Sequence, residues 1–525
     1  MTTLARAEVV MLLATLFNGQ QANAQQMPVP KSINDLVTWV RSHNKAPFDR
    51  DSAQMPTRTL ASLKATPLAA SAAAKFKNVK VNQDRNPWPK AEVGSAVDPI
   101  TGKNYVVMTN DFRENWDHEF YHVSTNGGKA WTDDSMVGGF DPYTGGAPLT
   151  FQSDPGVALD SVGHSVLSAI TGNNIFDFTN VYENLDSEIE VAVGYGTGIY
   201  TSLLPTVVDF QPCNFSVLAS TCAIQLDKPL VTIDNVPGSP NNGTVYVYYT
   251  AFCVQFTPCF DGNATIPPFS SAILESHAAG AGLPFGPPNL VSGQFTQEQF
   301  SDIVVDSHGV AHAFFDDFST GVNISMYMST FNGSSWVANL TPIATFVPIG
   351  VASPNWVFRI SGTIAPGCGI HGDTAYCAFS SNQVGNGPTE SGMSVYLATV
   401  NTGTGASTIA RVNNDPFNDG KDHIFPWATA IDDHTVYVGW YDDRNDPFNT
   451  LAQYFVGKST DGGKTFPKQL AVNDVPFNPC VGFPGCGFFG DYTQLVSGPD
   501  ELVHAAWSDT RDGASMQVWS QTISW

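Results

Sequence analysis

The sequence has few charged residues, and positive charge is the scarcer sign. Charged residues make up 14% of the 525 residues, and 24 Lys and Arg stand against 48 Asp and Glu, a net charge of -24. An acidic surface repels nucleic acid and anionic membranes, so neither is expected as a partner. The chain also has 46 Gly, 35 Pro and 12% aromatic residues. That composition is typical of short strands joined by tight turns and not of a helical bundle.

Long apolar runs are scarce too, and beyond the N-terminus none reaches the length of a membrane span. At the N-terminus, an apolar run follows Arg6 and precedes Ala22-Asn23-Ala24. This order predicts a signal peptide over residues 1–24 and a secreted or periplasmic protein, with a buried N-terminal helix as the alternative. Residues 25–77 are expected to be a separate extension, partly helical or disordered, for which a propeptide and a strap across the domain both stay open.

Cysteine is sparse but paired along the sequence. An even number of cysteines in an exported chain predicts disulfides, here four that close short loops. The pairs lack zinc-finger spacing with companion histidines, so structural zinc is not expected. The four predicted pairs are Cys213 with Cys222, Cys253 with Cys259, Cys368 with Cys377 and Cys480 with Cys486.

A repeated unit organises the rest of the chain. Each copy has an apolar strand, often ending in Asp, then a turn and a second strand rich in aromatic and β-branched residues. Seven copies occur, beginning with AEVGSAVDPITGKNYVVMTND and ending with DYTQLVSGPDELVHAAWSDTR. Each has room for two more strands, which predicts an all-β, seven-bladed β-propeller of four-stranded antiparallel blades over residues 78–525. The strand-ending aspartates are Asp98, Asp160, Asp234, Asp306 and Asp432.

The ends of the chain are expected to close the ring. The last copy ends after three strands, while KNVKVNQDRNP ahead of the first copy matches the fourth-strand exits ARVNNDPFN and LAVNDVPFN. Residues of about 78–82 should therefore be the outer strand of blade seven, which removes a free sheet edge.

The octapeptide STDGGKTF at Ser459–Phe466 contains Gly-Lys-Thr but is not a phosphate loop, because Lys458 stands where the motif needs Gly. It is not an EF-hand either, because no closing Glu follows. Its spacing returns in STNGGKAW at Ser124–Trp131 and, without the Asx, in STFNGSSW at Ser329–Trp336. All three are expected to be turns between the third and fourth strands of a blade.

Ser-x-Asp-x-Gly-x-Thr-Trp between outer strands is the Asp-box, or BNR repeat, so the chain resembles the sialidase-like propeller superfamily over roughly residues 78–525. The resemblance implies that these turns lie on the face away from the binding site and that a glycan is the ligand. Family sialidases are six-bladed and open with Phe-Arg-Ile-Pro, whereas FRIS here lies in blade five at Phe358–Ser361. The resemblance therefore implies the fold more strongly than sialidase activity.

Candidate site residues are expected on the opposite face, where the loops after the second strands meet the links between blades. Asp-x-Arg ends the second strand of blades one, six and seven, which ring closure makes neighbours. Paired carboxylates suit acid/base work on a glycoside, while arginines and aromatics suit sugar binding. The alternative is that Asp-x-Arg is a structural ion pair between blades. The catalytic candidates are Asp422, His423, Asp442 and Asp509, and the binding candidates are Trp88, Asp111, Arg113, Arg444, Asp491, Tyr492 and Arg511.

The sequence thus predicts a glycan-active enzyme of glycoside hydrolase type, with a non-catalytic propeller that binds glycan or another extracellular ligand as the alternative. No cofactor is expected. A Ca²⁺ ion bound among the carboxylates of this face is a possible exception, for which the sequence has no contiguous calcium-binding motif.

Overall fold

The computed structural model describes residues 76–113, 117–135, 151–172, 175–177, 180–183, 187–195, 206–211, 215–216, 219–220, 223–320, 323–347, 356–360 and 366–525. The predicted signal peptide and nearly all of the 25–77 extension lie outside these residues.

Seven antiparallel sheets follow one another along the chain, each forming one blade. A short strand, β1 (Val79–Lys80), precedes them. Blade one contains β2 (Lys90–Val97), β3 (Tyr105–Asp111), β4 (His118–Ser124) and β5 (Thr132–Ser135). Blade two contains β6 (Phe151–Leu159), β7 (His164–Gly172), the inserted hairpin of β8 (Ile175–Asp177) and β9 (Asn180–Glu183), then β10 (Ser187–Tyr195) and β11 (Thr206–Gln211).

A small hairpin, β12 (Phe215–Ser216) and β13 (Ala219–Ser220), leads to blade three. Blade three contains β14 (Ile224–Ile233), β15 (Val245–Cys253), the inserted hairpin of β16 (Cys259–Asp261) and β17 (Ala264–Ile266), then β18 (Ser270–Ala278) and β19 (Asn289–Leu290). Blade four contains β20 (Glu298–Val305), β21 (Ala311–Asp317) and β22 (Ile324–Phe331), and β22 pairs with both β23 (Trp336–Ala338) and β24 (Ala344–Val347).

Blade five contains β25 (Gly367–His371), β26 (Thr374–Ser381), the short β27 (Gln383–Val384) that pairs with β24, then β28 (Ser394–Asn401) and β29 (Ser407–Arg411). Blade six contains β30 (His423–Ala430), β31 (Val436–Asp442), β32 (Gln453–Ser459) and β33 (Lys468–Ala471). After a 3-10 turn at Pro484–Cys486, blade seven contains β34 (Leu495–Ser497), β35 (Val503–Asp509) and β36 (Gln517–Ile523).

The blades form a closed ring, as the sequence predicts. The first strand of each blade packs against the first strand of the next, and β34 of blade seven packs against β2 of blade one. β1 pairs antiparallel with β36, with Val79 opposite Ser520 and Lys80 opposite Trp519. The prediction that residues near 78–82 complete blade seven is therefore confirmed, and the fold is a seven-bladed β-propeller.

The asparagines that recur where the chain leaves a blade all make the same hydrogen bond. Asn82, Asn413 and Asn473 follow the fourth strands and are buried. Each side-chain oxygen accepts a hydrogen bond from a backbone N–H at the start of the third strand, at 2.8–3.0 Å. The exit asparagine therefore replaces a missing ladder bond and fixes the chain as it leaves the blade.

The strand-ending aspartates also share one role. Each accepts a hydrogen bond from the backbone N–H two residues further on, at distances from 2.7 to 3.1 Å. This is the turn bond for which Asp is favoured, so the aspartates are turn residues.

The octapeptides STDGGKTF of blade six and STNGGKAW of blade one form the same turn. In blade six, Ser459 Oγ donates to Asp461 Oδ1 and accepts from Gly463 N, while Asp461 Oδ1 accepts from Lys464 N and Thr465 N. In blade one, Ser124 and Asn126 make the same four bonds. In STFNGSSW, Asn332 supplies the acceptor one position later. Because the strands of a blade alternate in direction, these turns lie at the end of the blade opposite to the loops that follow the second strands.

The core lies between the blades, and strands near the axis are buried on both faces. All nine residues of β15 and all seven of β31 and β35 are buried. No helix among the described residues has the length and apolarity to cross a bilayer.

Three of the four predicted disulfides are confirmed. They are Cys253–Cys259, Cys368–Cys377 and Cys480–Cys486. The fourth predicted pair differs from these, because Cys213 and Cys222 both lie outside the described residues. The disulfide between Cys213 and Cys222 is therefore not confirmed and stays a prediction.

Candidate functional site

One end of the ring, called the mouth face here, collects the loops after the second strands and the links that enter the first strands. In blade one, for example, Lys90 at the start of β2 pairs with Asp111 at the end of β3. All the site residues predicted from the sequence lie at this end of their strands or in its links.

The Asp-x-Arg unit of blade one forms a junction with blade seven. Arg113 Nε donates to Asp111 Oδ2 at 2.8 Å, and the backbone N–H of Arg113 donates to Asp111 Oδ1. The guanidinium also lies 3.2 Å from Asp84, which follows the outer strand of blade seven. It covers the ring of Phe120 on the third strand, 3.9 Å from the ring centroid.

Blades six and seven repeat this junction residue for residue. In blade six the four positions are held by Arg444, Asp442, Asp415 and Phe455. In blade seven they are held by Arg511, Asp509, Asp474 and Trp519. Each arginine is thus paired with the aspartate of its own turn and with the exit of the preceding blade. This is the structural role that the sequence offered as the alternative, and the catalytic roles of Asp442 and Asp509 stay predictions.

His423 belongs to the junction between blades five and six. It is fully buried, with Nε2 at 3.2 Å from Asp415 and 3.3 Å from Asp442, while Nδ1 donates to the Met393 carbonyl. Burial works to lower the pKa of His423, but the charges of Asp442 and Asp415 raise it to about 9. The imidazolium is therefore held by two carboxylates at neutral pH and lacks the free nitrogen that a general base needs.

Two other residues predicted from the sequence, Asp422 and Trp88, contact the backbone and the hydrophobic core. Asp422 is buried and accepts a hydrogen bond from the Met393 N–H at 3.1 Å. Trp88 packs against the main core cluster, and its carbonyl accepts a hydrogen bond from Lys90 Nζ.

The remaining two predicted residues, Asp491 and Tyr492, lie at the axis beside residues that the sequence analysis did not select. The innermost strands carry a β-bulge near their mouth-face ends, and the bulge residue has a left-handed backbone. These residues are Glu92 (φ 47), Asp154 (φ 62), Lys228 (φ 54), Phe300 (φ 58) and Phe425 (φ 53) in blades one, two, three, four and six. Left-handed backbone is unfavourable for such side chains, and its recurrence in five blades makes the bulge a feature of the repeat.

Three of these bulge residues meet Asp491 in a compact group. Lys228 Nζ lies 2.9 Å from Asp154 Oδ1, 2.8 Å from Asp491 Oδ2 and 3.3 Å from Glu92 Oε1. Arg359, in the link that enters blade five, binds both oxygens of Asp491, at 2.9 and 2.5 Å. We call Glu92, Asp154, Lys228, Arg359 and Asp491 the axial charge cluster.

The cluster is almost completely removed from water. Glu92 and Asp491 are 1% exposed, and Asp154 is 5% exposed. Arg359 is the most accessible member, with 25% of its side chain exposed. Tyr492 stands next to the cluster, and its hydroxyl donates to the Pro155 carbonyl at 3.0 Å.

The carboxyls of the cluster differ in protonation. Burial raises the pKa of Glu92 well above its usual range, and the charges of Asp154 and Asp491 add to this effect although Lys228 opposes it. Burial also works to raise the pKa of Asp154, but Lys228 and the hydrogen bonds to the carboxylate hold it below its usual value. The two neighbouring carboxyls are therefore shifted in opposite directions, Glu92 towards its protonated form and Asp154 towards its ionised form.

Further acids lie behind Glu92 and Asp154. Asp117 accepts a hydrogen bond from Ser153 Oγ at 2.8 Å, and burial raises the pKa of both Asp117 and Glu119 well above the usual range. Lys228 occupies the space between the three carboxylates of the axial charge cluster. In the part of the chain that the structure describes, no three His, Cys, Asp or Glu side chains are arranged to hold a metal ion.

Aromatic residues lie beside the cluster. A small cavity is lined by Lys228 of blade three and by Tyr492 of the link that enters blade seven. Phe300 of blade four and Trp427 of blade six also line it. The cavity therefore combines an ammonium group with aromatic side chains.

A second concavity, of about 250 Å³, lies on the mouth face where blade seven joins blade one. Its cations are Lys80, Arg85 and Arg511, and Arg511 covers Trp519 at 3.9 Å from the ring centroid. Asp509 and Asp512 also line it. The predicted residues Asp509 and Arg511 therefore contribute to an open pocket as well as to a junction.

Sequence reasoning missed Glu92, Asp154, Lys228 and Arg359, although a signal for the first three exists. Each of the three lies six residues before a strand-ending aspartate, as does Phe300. Aligning the repeats on those aspartates would have shown charged residues at one repeat position in three successive blades.

No family model and no curated protein matches the sequence. Solved structures that share the fold include the Hadza microbial sialidase Hz136, with 13% identity, 78% of this chain and 73% of that chain covered, and a TM-score of 0.41. Another is the GH93 α-L-arabinofuranosidase of Fusarium graminearum, with 10% identity, 85% and 97% covered, and a TM-score of 0.43. The intramolecular trans-sialidase from Ruminococcus gnavus has 9% identity, 86% and 98% covered, and a TM-score of 0.37. Such low identities describe the fold alone, so function must be argued from the residues of this chain.

Proposed function

We propose that this protein is a secreted glycan-active enzyme of glycoside hydrolase type, with its reacting groups in the axial charge cluster. The observation that carries the proposal is the buried pair of Glu92 and Asp154 on adjacent innermost strands, with the pKa of Glu92 raised and that of Asp154 held low. Glycoside hydrolysis needs one carboxylic acid to protonate the leaving oxygen and one carboxylate on the other side of the reaction. Glu92 is the proposed acid and Asp154 the proposed carboxylate. Because Lys228 Nζ lies within 3.3 Å of both carboxyls, a substrate must displace this ammonium group to reach the position between them.

Stability alone does not account for such a cluster. A buried network of charges is often no more stabilising than an apolar core of the same volume, because removing the charges from water is costly. Left-handed backbone at three of its members adds a further cost of about 1–3 kcal/mol each. The bulge also occurs at Phe300 and Phe425 and so belongs to the repeat, whereas a buried cluster of charges is retained most readily where it serves chemistry.

The surroundings favour a sugar as ligand. Phe300, Trp427 and Tyr492 line the small cavity together with Lys228 and Ser301, and such a mixture of aromatic and polar groups suits the mixed character of a sugar ring. The resemblance to the sialidase-like superfamily through the Asp-box turns points the same way. The three disulfides agree with a secreted or periplasmic protein.

A second candidate function, glycan binding without catalysis, is favoured by the pocket at the junction of blades seven and one. Three cations of an otherwise acidic protein, Lys80, Arg85 and Arg511, line one concavity together with Asp509 and Asp512, beside the indole of Trp519. Arginine binds carboxylates in a bidentate manner, so an acidic sugar fits this pocket.

The test is a screen of the purified protein against chromogenic glycosides and polysaccharides, repeated with Glu92→Gln and Asp154→Asn. We expect each variant to lose activity by about 10²–10⁴-fold, the usual contribution of a general acid or base. Asp98→Asn and Asp160→Asn are matched controls, because these aspartates lie buried at the far ends of the same two strands. Asp442→Asn and Asp509→Asn test the assignment made from the sequence.

The outcomes separate the alternatives. Loss only in Glu92→Gln and Asp154→Asn supports the axial site. Loss only in Asp442→Asn or Asp509→Asn would move the chemistry to the junctions. Binding of acidic glycans that Arg511→Ala abolishes, with no turnover of any substrate, would replace the enzyme proposal by the binding function.

A further inference from the structure

The inserted hairpin of blade three presents two of the large apolar side chains that are most open to water among the described residues. Phe256 is 75% exposed and Phe260 is 74% exposed. They lie in the segment after β15, the second strand of the blade, so they belong to the mouth face. Exposed apolar surface of this kind is retained most readily where it contacts a ligand or partner.

The hairpin is held rigidly. The Cys253–Cys259 disulfide closes its base, and β16 pairs with β17 from Cys259 opposite Ile266 to Asp261 opposite Ala264. Cys259, Ala264 and Ile266 turn into the core of blade three. A rigid aromatic surface binds with little loss of conformational freedom.

The open side of the hairpin has no charge. Phe256 meets Phe269 edge-on, with ring centroids 4.6 Å apart. The other exposed side chains include Pro258, Thr265, Pro267 and Pro268, and the one acid of the segment, Asp261, is buried. In a protein of net charge -24, a charge-free surface excludes recognition by ion pairs.

We infer that Phe256 and Phe260 form a stacking platform for neutral sugar rings of an extended glycan. The apolar faces of sugar rings match flat aromatic rings, and the neighbouring threonine hydroxyl can bond to sugar hydroxyls. The platform lies at the same end of the ring as the axial charge cluster. The inference rests on the proposed function for the class of ligand, and it narrows the substrate to a polymer with neutral units.

The test uses affinity electrophoresis of the full chain in gels containing a neutral β-glucan, a xylan, an arabinan or polygalacturonate. The variants are Phe256→Ala, Phe260→Ala and the double variant. Val162→Ala is the matched control, because Val162 is 77% exposed in the turn between β6 and β7, on the far face. Phe260→Trp tests whether another aromatic ring restores the binding.

We expect at least one neutral polysaccharide to retard the wild-type protein, and the double variant to bind it at least tenfold more weakly. Val162→Ala and Phe260→Trp should bind normally, and any turnover of small chromogenic glycosides should be unchanged in the double variant. Absence of retardation by every neutral polysaccharide, or equal retardation of the double variant and Val162→Ala, would overturn the inference. A wild-type dimer that the double variant turns into a monomer would also overturn it, because the platform would then be a contact between two copies.

The result of this binding test does not depend on whether the protein is a hydrolase. If Glu92→Gln and the wild type both lack turnover yet both bind the neutral polysaccharide through Phe256 and Phe260, the platform stands and the hydrolase proposal fails.

Discussion

Replacing Lys228 by Met should destabilise the protein strongly and in a pH-dependent way. The ammonium group lies within 3.3 Å of three carboxyl groups, and its side chain is 9% exposed. Removing one partner from a buried ion pair costs about 3–5 kcal/mol, because it leaves a buried charge uncompensated. In the variant, Arg359 still neutralises Asp491, and the pKa of Glu92 is already shifted towards its protonated form, so Asp154 is the main charge left without a partner.

The magnitude translates into a moderate change in melting temperature. The entropy of unfolding is about 2.1 cal/mol/K per residue, which gives about 0.9 kcal/mol/K for a propeller of roughly 450 residues. A loss of about 3–5 kcal/mol therefore lowers Tm by about 3–5 °C. Chemical denaturation measures the free energy directly, with Lys129→Met as a control because Lys129 is exposed and should change stability by less than about 0.5 kcal/mol.

The pH dependence gives the sharper test. Lys228 depresses the pKa of Asp154 in the folded protein, so its contribution is present above the unfolded pKa of about 3.9 and is lost as pH falls through the folded pKa. Without Lys228, burial raises the pKa of Asp154 instead. The deficit of the variant should be greatest near pH 7 and shrink as the pH is lowered towards 4. A deficit below about 1 kcal/mol at pH 7, or one that does not vary with pH, would refute the electrostatic account of the cluster.

Two other predictions concern the junctions and the turns. His423 has a pKa raised from 6.5 to about 9, so its charged form adds roughly 3 kcal/mol of stability that is fully present below about pH 6.5 and is lost as pH rises through about 9. The stability gap between wild type and His423→Gln, measured by denaturation, should therefore be larger at pH 6 than at pH 10, and an equal gap would contradict this role. Asp461→Ala should lower the free energy of unfolding by about 1 kcal/mol, because the turn bonds are lost. Asp461→Asn should lower it little, because Asn126 makes the same bonds in blade one. Glycan binding should not change in either variant, since the turn lies on the far face.

The blade number and ring closure could be predicted because each is encoded by residues whose partners are local or repeated. Strand-ending aspartates bond to the backbone two residues away, and the Asp461 turn is complete within one octapeptide. The exit motif around Asn82 could be matched to its copies at Asn413 and Asn473. Such signals survive in a single sequence because they do not depend on where the blades lie in space.

The axial charge cluster could not be found in the same way, because its members are distant in sequence. Lys228 is bound to Glu92, Asp154 and Asp491, each on a different blade or link. The site was predicted from the contiguous Asp-x-Arg units instead. Residues two apart at the end of a strand satisfy one another in the same turn, as Asp442 and Arg444 do, so a contiguous motif of this type indicates a local bond more readily than a shared site.

The repeat explains how such a site can arise from a simple fold. Five of the blades offer the same backbone position beside the axis, a left-handed bulge that points a side chain towards its neighbours, and the sequence fills this position differently around the ring. Glu92, Asp154 and Lys228 make one side charged, while Phe300 and Phe425 occupy the equivalent bulges of blades four and six. The ring of bulges is therefore asymmetric, with charged side chains in blades one to three and aromatic side chains in blades four and six. Under the proposed function, this loss of symmetry would orient a sugar, since its hydroxyl groups and its apolar ring face require different surroundings.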